Sequence, residues 1–214
     1  MRREITAEFV PLGKERLLLS IDVVANRDKV QYYNAPALAQ AMDIVNVMAY
    51  DFYGPWEPFL GHHSPLFLSK HDRHDPARNF YSQNQAIVMW ERAGVPTKKL
   101  VLGFAAYGRS FLMSSLDLNK PGDAYTGQAA AAAPYTGENG IYAYYEVCMK
   151  PSKPGWTEVF MQESRVPYVY GRDHRNNQLV WICYDNVESF TEKVTQQCWS
   201  AKKSLLSTTP DLVG

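Results

Sequence analysis

Cysteine is scarce, with three residues in 214: Cys148, Cys183 and Cys198. An odd count leaves at least one thiol unpaired and no C-x-x-C spacing occurs, which excludes a disulfide framework, a zinc ribbon and a dithiol redox pair. Neither sign of charge is in excess, since 22 Lys and Arg balance 22 Asp and Glu. That balance argues against a basic nucleic-acid surface and an acidic disordered chain, so no nucleic-acid partner is expected. No apolar run approaches the ~18 residues needed to span a bilayer, and no membrane partner is expected either. Heptads, glycine triplets and internal repeats are missing, which removes coiled-coil, collagen and repeat architectures. There is no Walker motif, dinucleotide fingerprint or nucleophile elbow, and no cofactor is expected. No apolar stretch follows Arg2 and Arg3, so no signal peptide is read in these residues. With no Asn-x-Ser/Thr sequon either, the literal expectation is a cytoplasmic chain; an incomplete chain would look the same.

What is present is a large apolar and aromatic share. Hydrophobic residues make up 46% and aromatics 13%, with 14 Tyr and 5 Trp. That is enough for a sizeable core, in one domain or two small ones, and for a surface that stacks flat ligands. Residues 17–24 (LLLSIDVV), 44–49 (IVNVMA) and 99–105 (KLVLGFA) have the apolar, partly β-branched composition of buried strands. Residues 36–42 and 80–93 fit the helices between them, the second closed by Gly94 and Pro96. Apolar strands alternating with helices specify an α/β fold with a parallel sheet.

The pattern changes after Phe111. Residues 114–140 are rich in Gly, Pro and Ala and read as an extended loop. Residues 141–148, 158–162, 166–170 and 178–183 are short strand-like pieces, with 172–177 (RDHRNN) a hairpin turn. Asp185 and Asn186 offer caps for one more helix, while the stretch from Thr195 onward is polar and aperiodic. The expected organisation is a parallel α/β part over 14–112, an α+β module over 113–185, the start of a return helix over 186–194 and a disordered tail over 195–214.

In a parallel α/β arrangement functional groups gather just past the C-terminal ends of strands. The second strand runs into MAYDFYGPWE (48–57) and the third into GFAAYGRSF (103–111). Side chains alternate along a strand, so Met48 and Tyr50 share one face, and Tyr107 and Arg109 stand in the same relation. Together with Asp51 and Trp56 they would make a hydrogen-bonding and stacking surface suited to a sugar ring. The alternative, equally open from the residues, is a Tyr that caps the core with Asp51 and Arg109 paired to each other. His62, His63 and HDRHD (71–75) match no common zinc spacing, so no metal is expected, and His62 is read as ordering its loop. Trp90 and Trp156 read as packing residues, and Glu146 as fixing the fold of its own module.

These segments carry a resemblance. MAYDFYGPWE (48–57) with GHHSPL (61–66) resembles the sixth-strand signature of the chitinase family of glycoside hydrolases, family eighteen. KLVLG (99–103) with YGRSF (107–111) resembles the seventh strand. YTGENG (135–140), AYYEVC (143–148) and WICYDNVESF (181–190) resemble the family's inserted α+β module. The similarity runs in order from about residue 14 to residue 194. It implies part of a TIM barrel with a small α+β insertion, and an extracellular parent that cleaves β-1,4-linked N-acetylglucosamine polymers with retention. The implied mechanism is substrate-assisted: a carboxylic acid protonates the leaving oxygen while the substrate's own acetamido carbonyl attacks the anomeric carbon. The resemblance makes chitin or a chito-oligosaccharide the ligand. It gives Tyr50 a hydrogen bond to the acetamido group and Asp51 a contact to sugar at the cleavage site. Met48, Tyr107 and Arg109 would line the cleft, Trp56 would stack on a neighbouring sugar, and Glu138 would form a wall of the groove.

One departure governs the expected activity. The motif Asp-x-x-Asp-x-Asp-x-Glu, which supplies the acid on the family's fourth strand, occurs nowhere in the 214 residues, so no catalytic residue is assigned. Loss of a positioned general acid costs about 10²–10⁴-fold in rate, and Asp51 sits at a position suited to orientation. The chain alone is therefore expected not to hydrolyse chitin, with a silent chito-oligosaccharide-binding, lectin-like chain as the alternative. About three strands of a barrel would leave open edges that invite association with another chain. Asp22 would face the barrel interior unpaired, and Cys148 would be free, because its usual partner in the family lies outside these residues.

Overall fold

The computed structural model describes residues 15–206, with side chains through residue 196. The expectations for the first residues, for Cys198 as a thiol and for the last eight residues lie outside that range. β1 (Ser20–Val24), β2 (Ile44–Met48) and β3 (Leu100–Leu102) form a parallel sheet in that order. The β-branched residues chosen for strands pack on one face: Val23, Val45 and Val47 are fully buried and Leu100 and Leu102 nearly so. They share a core with Ala35 and Ala39 of helix α1 (Ala35–Ala41) and Ala86 and Trp90 of helix α2 (Gln83–Arg92). The opposite face carries exposed Asp22 and Val101. Asp22 is not unpaired as expected, since Asn46 Nδ2 donates to its Oδ1 at 2.8 Å.

Both helices start on side-chain caps. Asn34 accepts from Ala37 N–H at 3.2 Å and Ser82 from Gln85 N–H at 3.3 Å, which satisfies donors the helix itself cannot. α2 ends at Gly94, whose φ of 108° only glycine adopts readily. Two bonds, one buried and one half-buried, tie α2 to the strand ends. Trp90 Nε1–H donates to Val24 O at 2.9 Å and Gln83 Nε2–H to Ala49 O at 3.0 Å. The carboxyl ends of β1 and β2, where the candidate residues lie, are thus fixed from behind.

The third strand differs from expectation. It stops at Leu102, with Gly103 N–H making the last ladder bond to Val47 O at 2.9 Å. Gly103 adds no side chain to hold a longer strand on the sheet. The chain instead crosses over, and β4 (Tyr107–Leu112) joins a five-stranded antiparallel sheet in the order β5-β4-β8-β7-β6. Its other strands are β5 (Ile141–Ala143), β6 (Trp156–Met161), β7 (Val166–Asp173) and β8 (Gln178–Cys183). The strand expected over 141–148 is shorter because Glu146 reaches back to Ala143 N–H at 3.0 Å and starts a helical turn, Tyr144–Val147.

Helix α3 (Val187–Leu206) corrects the expectation of a disordered tail from residue 195, because the backbone stays helical through Leu206. Its start is capped reciprocally: Ser189 N–H donates to Asn186 Oδ1 and Asn186 N–H to Ser189 Oγ, both at 2.9 Å. Cys148 and Cys183 are free. Burial pushes the Cys183 thiol up to about 12, which makes it an inert packing group.

Candidate functional site

A cleft opens at the carboxyl ends of β1 and β2, bounded by Val24, Met48, Tyr50, Asp51, Trp56 and Tyr81. The turn that forms it starts at Asp51, whose φ of 61° is a left-handed conformation uncommon outside glycine. Phe52 N–H donates to His63 O at 2.9 Å, so the loop doubles back and brings residues 61–64 beneath the cleft floor.

Asp51 is the hub. Tyr107 Oη–H donates to its Oδ1 at 2.7 Å, and Arg109 donates from Nε at 2.8 Å and from Nη2 at 2.9 Å. Burial would raise this carboxyl, but the facing His63 ring, the Arg109 fork and Tyr107 outweigh it and hold Asp51 well below the ordinary range. Asp51 is therefore a permanent anion at neutral pH, able to accept and orient but not to give a proton. Burial and the Asp51 contact push the Tyr107 phenol up, so it stays a donor.

Trp56 is 55% exposed, with Arg109 Cζ 5.1 Å from its ring centroid. A cation over one face anchors the indole at low cost in freedom. The ring also lies across Gly54, where any Cβ would collide with it. Glu57, the next residue, is clamped by Arg78 Nε at 3.0 Å and Tyr81 Oη at 3.1 Å, which fixes the loop on which Trp56 is presented. Tyr50 meets the Tyr107 ring edge-on at 6.2 Å, and its hydroxyl has no protein partner among the described residues.

The structure thus brings Met48, Tyr50, Asp51, Trp56, Tyr107 and Arg109 together and leaves Glu138 apart. Glu138 is exposed in the loop before β5 and is not among the residues that bound the cleft. Asp51 and Arg109 do pair with each other, as one of the two alternatives expected, and Asp51 also lines the cleft. Sequence reasoning missed Glu57, Tyr81 and Arg78, whose signal was the charged loop over 57–81. Glu146 accepts from Tyr135 N–H at 2.7 Å as well as Ala143 and holds its own module together. No group of His, Cys, Asp and Glu among the described residues is arranged to hold a metal. A second, more apolar cavity lies on the helix side of β3, between Leu66, Ile87, Leu102 and Lys193.

Behind the cleft lies a buried polar network. His62 Nε2–H faces Tyr184 O at 2.9 Å and Pro167 O at 3.1 Å, while its Nδ1 accepts from Ser64 N–H at 3.0 Å. Burial pushes this imidazole down to about 3, so it is neutral and orders its loop. Lys193 Nζ donates to Asp185 Oδ1 at 2.5 Å and to Ser64 O at 2.7 Å. Burial would raise Asp185 but Lys193 holds it down, and burial lowers Lys193 in turn.

Comparison with known proteins agrees with this geometry. The model of glycosyl hydrolases family 18 matches residues 1–203. Mouse chitotriosidase-1 is 38% identical over 183 residues, which is 85% of this chain and 36% of that protein. The Trichuris suis chitinase TsES1 superposes with a TM-score of 0.80 at 34% identity, covering 93% of this chain and 53% of that one. Human YKL-39, described as a pseudo-chitinase with retained chitooligosaccharide binding, gives a TM-score of 0.81 at 33% identity, over 92% and 51%. The chain therefore spans about a third to a half of the length of these relatives. With the family model matched over residues 1–203 and a fold consistent with a partial barrel, the chain belongs to family 18 of the glycosyl hydrolases.

Proposed function

We propose that these residues form a binding wall for chito-oligosaccharides and do not themselves supply the proton for hydrolysis. The observation that carries this reading is the joint presentation, in one cleft, of the free Tyr50 hydroxyl, the Asp51 carboxylate and the exposed Trp56 face, with Arg109 bracing the last two from behind. Such a set offers an N-acetylglucosamine ring donors, an acceptor and a stacking plane. The charge states support binding without proton donation. Asp51 is held ionised, Glu57 is clamped by Arg78, and the one carboxyl among the described residues that is raised by burial, Asp72, lies outside the cleft lining, against Tyr53 and Ser69. Human YKL-39 sets the precedent of chitooligosaccharide binding in a pseudo-chitinase.

A second reading follows from the shared site. Where one polypeptide joins these residues to a strand bearing the missing acid, the same wall would serve substrate-assisted retaining hydrolysis. Chitin is an extracellular polymer, so in either case the site would meet its ligand outside the cell.

Calorimetric titration with chitotetraose tests the first reading. The unsubstituted chain should bind without releasing shorter oligomers, and Trp56→Ala should weaken binding by about 3–10-fold, the loss of one aromatic face. Unchanged affinity in Trp56→Ala would remove the stacking role, and release of chitobiose by the chain would overturn the silent reading.

A further inference from the structure

His63 is a buried polar side chain that the cleft as described leaves unused. It is 0% exposed, and neither ring nitrogen has a hydrogen-bond partner. Unpaired buried donors and acceptors are rare enough in folded proteins to call for a reason. The ring is firmly held. It stacks on His62 at 5.5 Å and 18°, lies 4.9 Å from the Tyr107 ring, and its backbone N–H donates to Cys183 Sγ at 3.4 Å.

What the ring faces is Asp51. His63 Nδ1 lies 3.7 Å from Asp51 Oδ1, about an ångström beyond hydrogen-bond length. Asp51 is 35% exposed on its side chain and takes all its present hydrogen bonds from the outer side, from Tyr107 and Arg109. The carboxylate therefore stands between an occupied outer seat and an unoccupied inner one. The outer seat is the one a sugar oxygen would contest on reaching Asp51 at the cleft wall, because the Arg109 guanidinium behind it is a charged, forked donor that keeps 17% of its side chain exposed.

We propose that His63 is the positioning residue for Asp51: when an oxygen of a bound chito-oligosaccharide takes the Arg109 guanidinium, the carboxylate moves inward and accepts a hydrogen bond from His63 Nδ1–H. The inference rests on the sugar-binding reading above. It gives one of the two ring nitrogens, neither of which bonds to another protein group, a use in the bound state. The charged and titratable groups around the ring are Asp51, His62, Tyr107, Cys183, Asp185 and Lys193. Burial pushes His63 down, against the pull of Asp51 and Asp185 and with that of Lys193. The imidazole is thus neutral at physiological pH, and the inward shift creates no new charge.

The test uses the chain labelled with ¹⁵N-histidine. At pH 7 and saturating chitotetraose, the His63 Nδ1–H signal should move downfield as the hydrogen bond shortens, and Asp51→Ala, which removes the acceptor, should abolish that movement. His63→Phe keeps a flat ring between His62 and Tyr107 but removes both nitrogens. It should melt at or above the wild-type temperature and bind chitotetraose about 3–10-fold more weakly, the worth of one hydrogen bond. Sugar binding with an unmoved His63 signal overturns the proposal, as does wild-type affinity in His63→Phe. Failure of the unsubstituted chain to bind chitotetraose would instead sink the sugar-binding reading itself, and the inward shift with it. Should His63→Phe not fold, the labelled wild type and Asp51→Ala decide the matter between them.

Discussion

The two sheets bury their strands in different ways. In the antiparallel sheet four successive residues of β8, Val180, Trp181, Ile182 and Cys183, are all 0% exposed, so both faces of that strand are covered. In the parallel sheet only alternate residues are covered: Val45 and Val47 are fully buried, while Val101 is 44% exposed. Apolar burial is worth about 25 cal/mol per Å², and a strand covered on both faces gathers it on every residue. The antiparallel sheet therefore carries much of the stability, and the parallel sheet carries the strand ends that shape the cleft. Its open face is the one a closed barrel would fill with layered side chains.

The largest expected effect lies at the centre of the antiparallel sheet. Trp181 stacks on Tyr168 at 4.9 Å, meets Phe111 edge-on at 5.5 Å and donates Nε1–H to Asn119 O at 3.0 Å. Trp181→Ala should cost about 3–5 kcal/mol, the range for removing a fully buried large aromatic. Urea unfolding measures it. A loss under about 1 kcal/mol would break the comparison by showing that stability resides elsewhere.

A middle-sized effect is expected where the two regions join. His62 belongs to the loop after β2 but bonds to Tyr184 and Pro167 of the antiparallel sheet. Its folded-state value of about 3 lies below the ordinary 6.5. As pH falls below 6.5 the unfolded chain takes up a proton that the folded chain refuses, so stability declines from 6.5 down towards 3. Between pH 7 and pH 5 this group alone should remove about 1–2 kcal/mol. His62→Gln keeps an amide donor for the Tyr184 carbonyl and does not titrate, so its urea midpoint should fall less over that interval. An equal fall in both proteins would mean that His62 is not the acid-sensitive link. Asp185, held low by Lys193, adds loss of the same sign further down the acid range, as pH falls through its depressed value.

Much of this was legible in the residues, and the parts that were not share a physical cause. β1 and β2 announced themselves because apolar, β-branched runs have few other uses. Six of the seven candidate site residues meet because strand alternation and the loop after each strand fix their directions. Glu138 does not join them, since its long Gly-, Pro- and Ala-rich loop has no periodicity from which a direction follows. α3 was misread past residue 195 for a related reason. Its buried positions, Ser189 and Lys193, four residues apart, are polar, so the packed stripe escapes a search for apolar periodicity. Gln, Lys, Ala and Leu in 196–206 are nonetheless good helix formers. His63 was passed over as half of a histidine pair in a loop, because a side chain's burial and aim belong to the folded chain and not to its neighbours in sequence.

The smallest effect, expected at Val101, sharpens the comparison most, because against Val47 it sets two faces of one sheet side by side. Val47 on β2 and Val101 on β3 lie in one ladder, where Val47 pairs with Leu102 and Asn46 with Val101, yet one is 0% and the other 44% exposed. Val→Thr keeps the β-branched shape and strand preference and exchanges a methyl for a hydroxyl. At Val47 that hydroxyl enters a packed apolar core without an assured partner, at a cost of about 1–3 kcal/mol. At Val101 it reaches solvent, and stability should stay within about 0.5 kcal/mol of wild type. Paired urea curves for Val47→Thr and Val101→Thr decide the point. Similar large losses would mean that the inner face is covered in solution, by residues outside the described range or by another chain. A large loss at Val47 alone would mean that the face lined by Asp22, Asn46 and Val101 is open, leaving the sheet to stand on its helix-packed side.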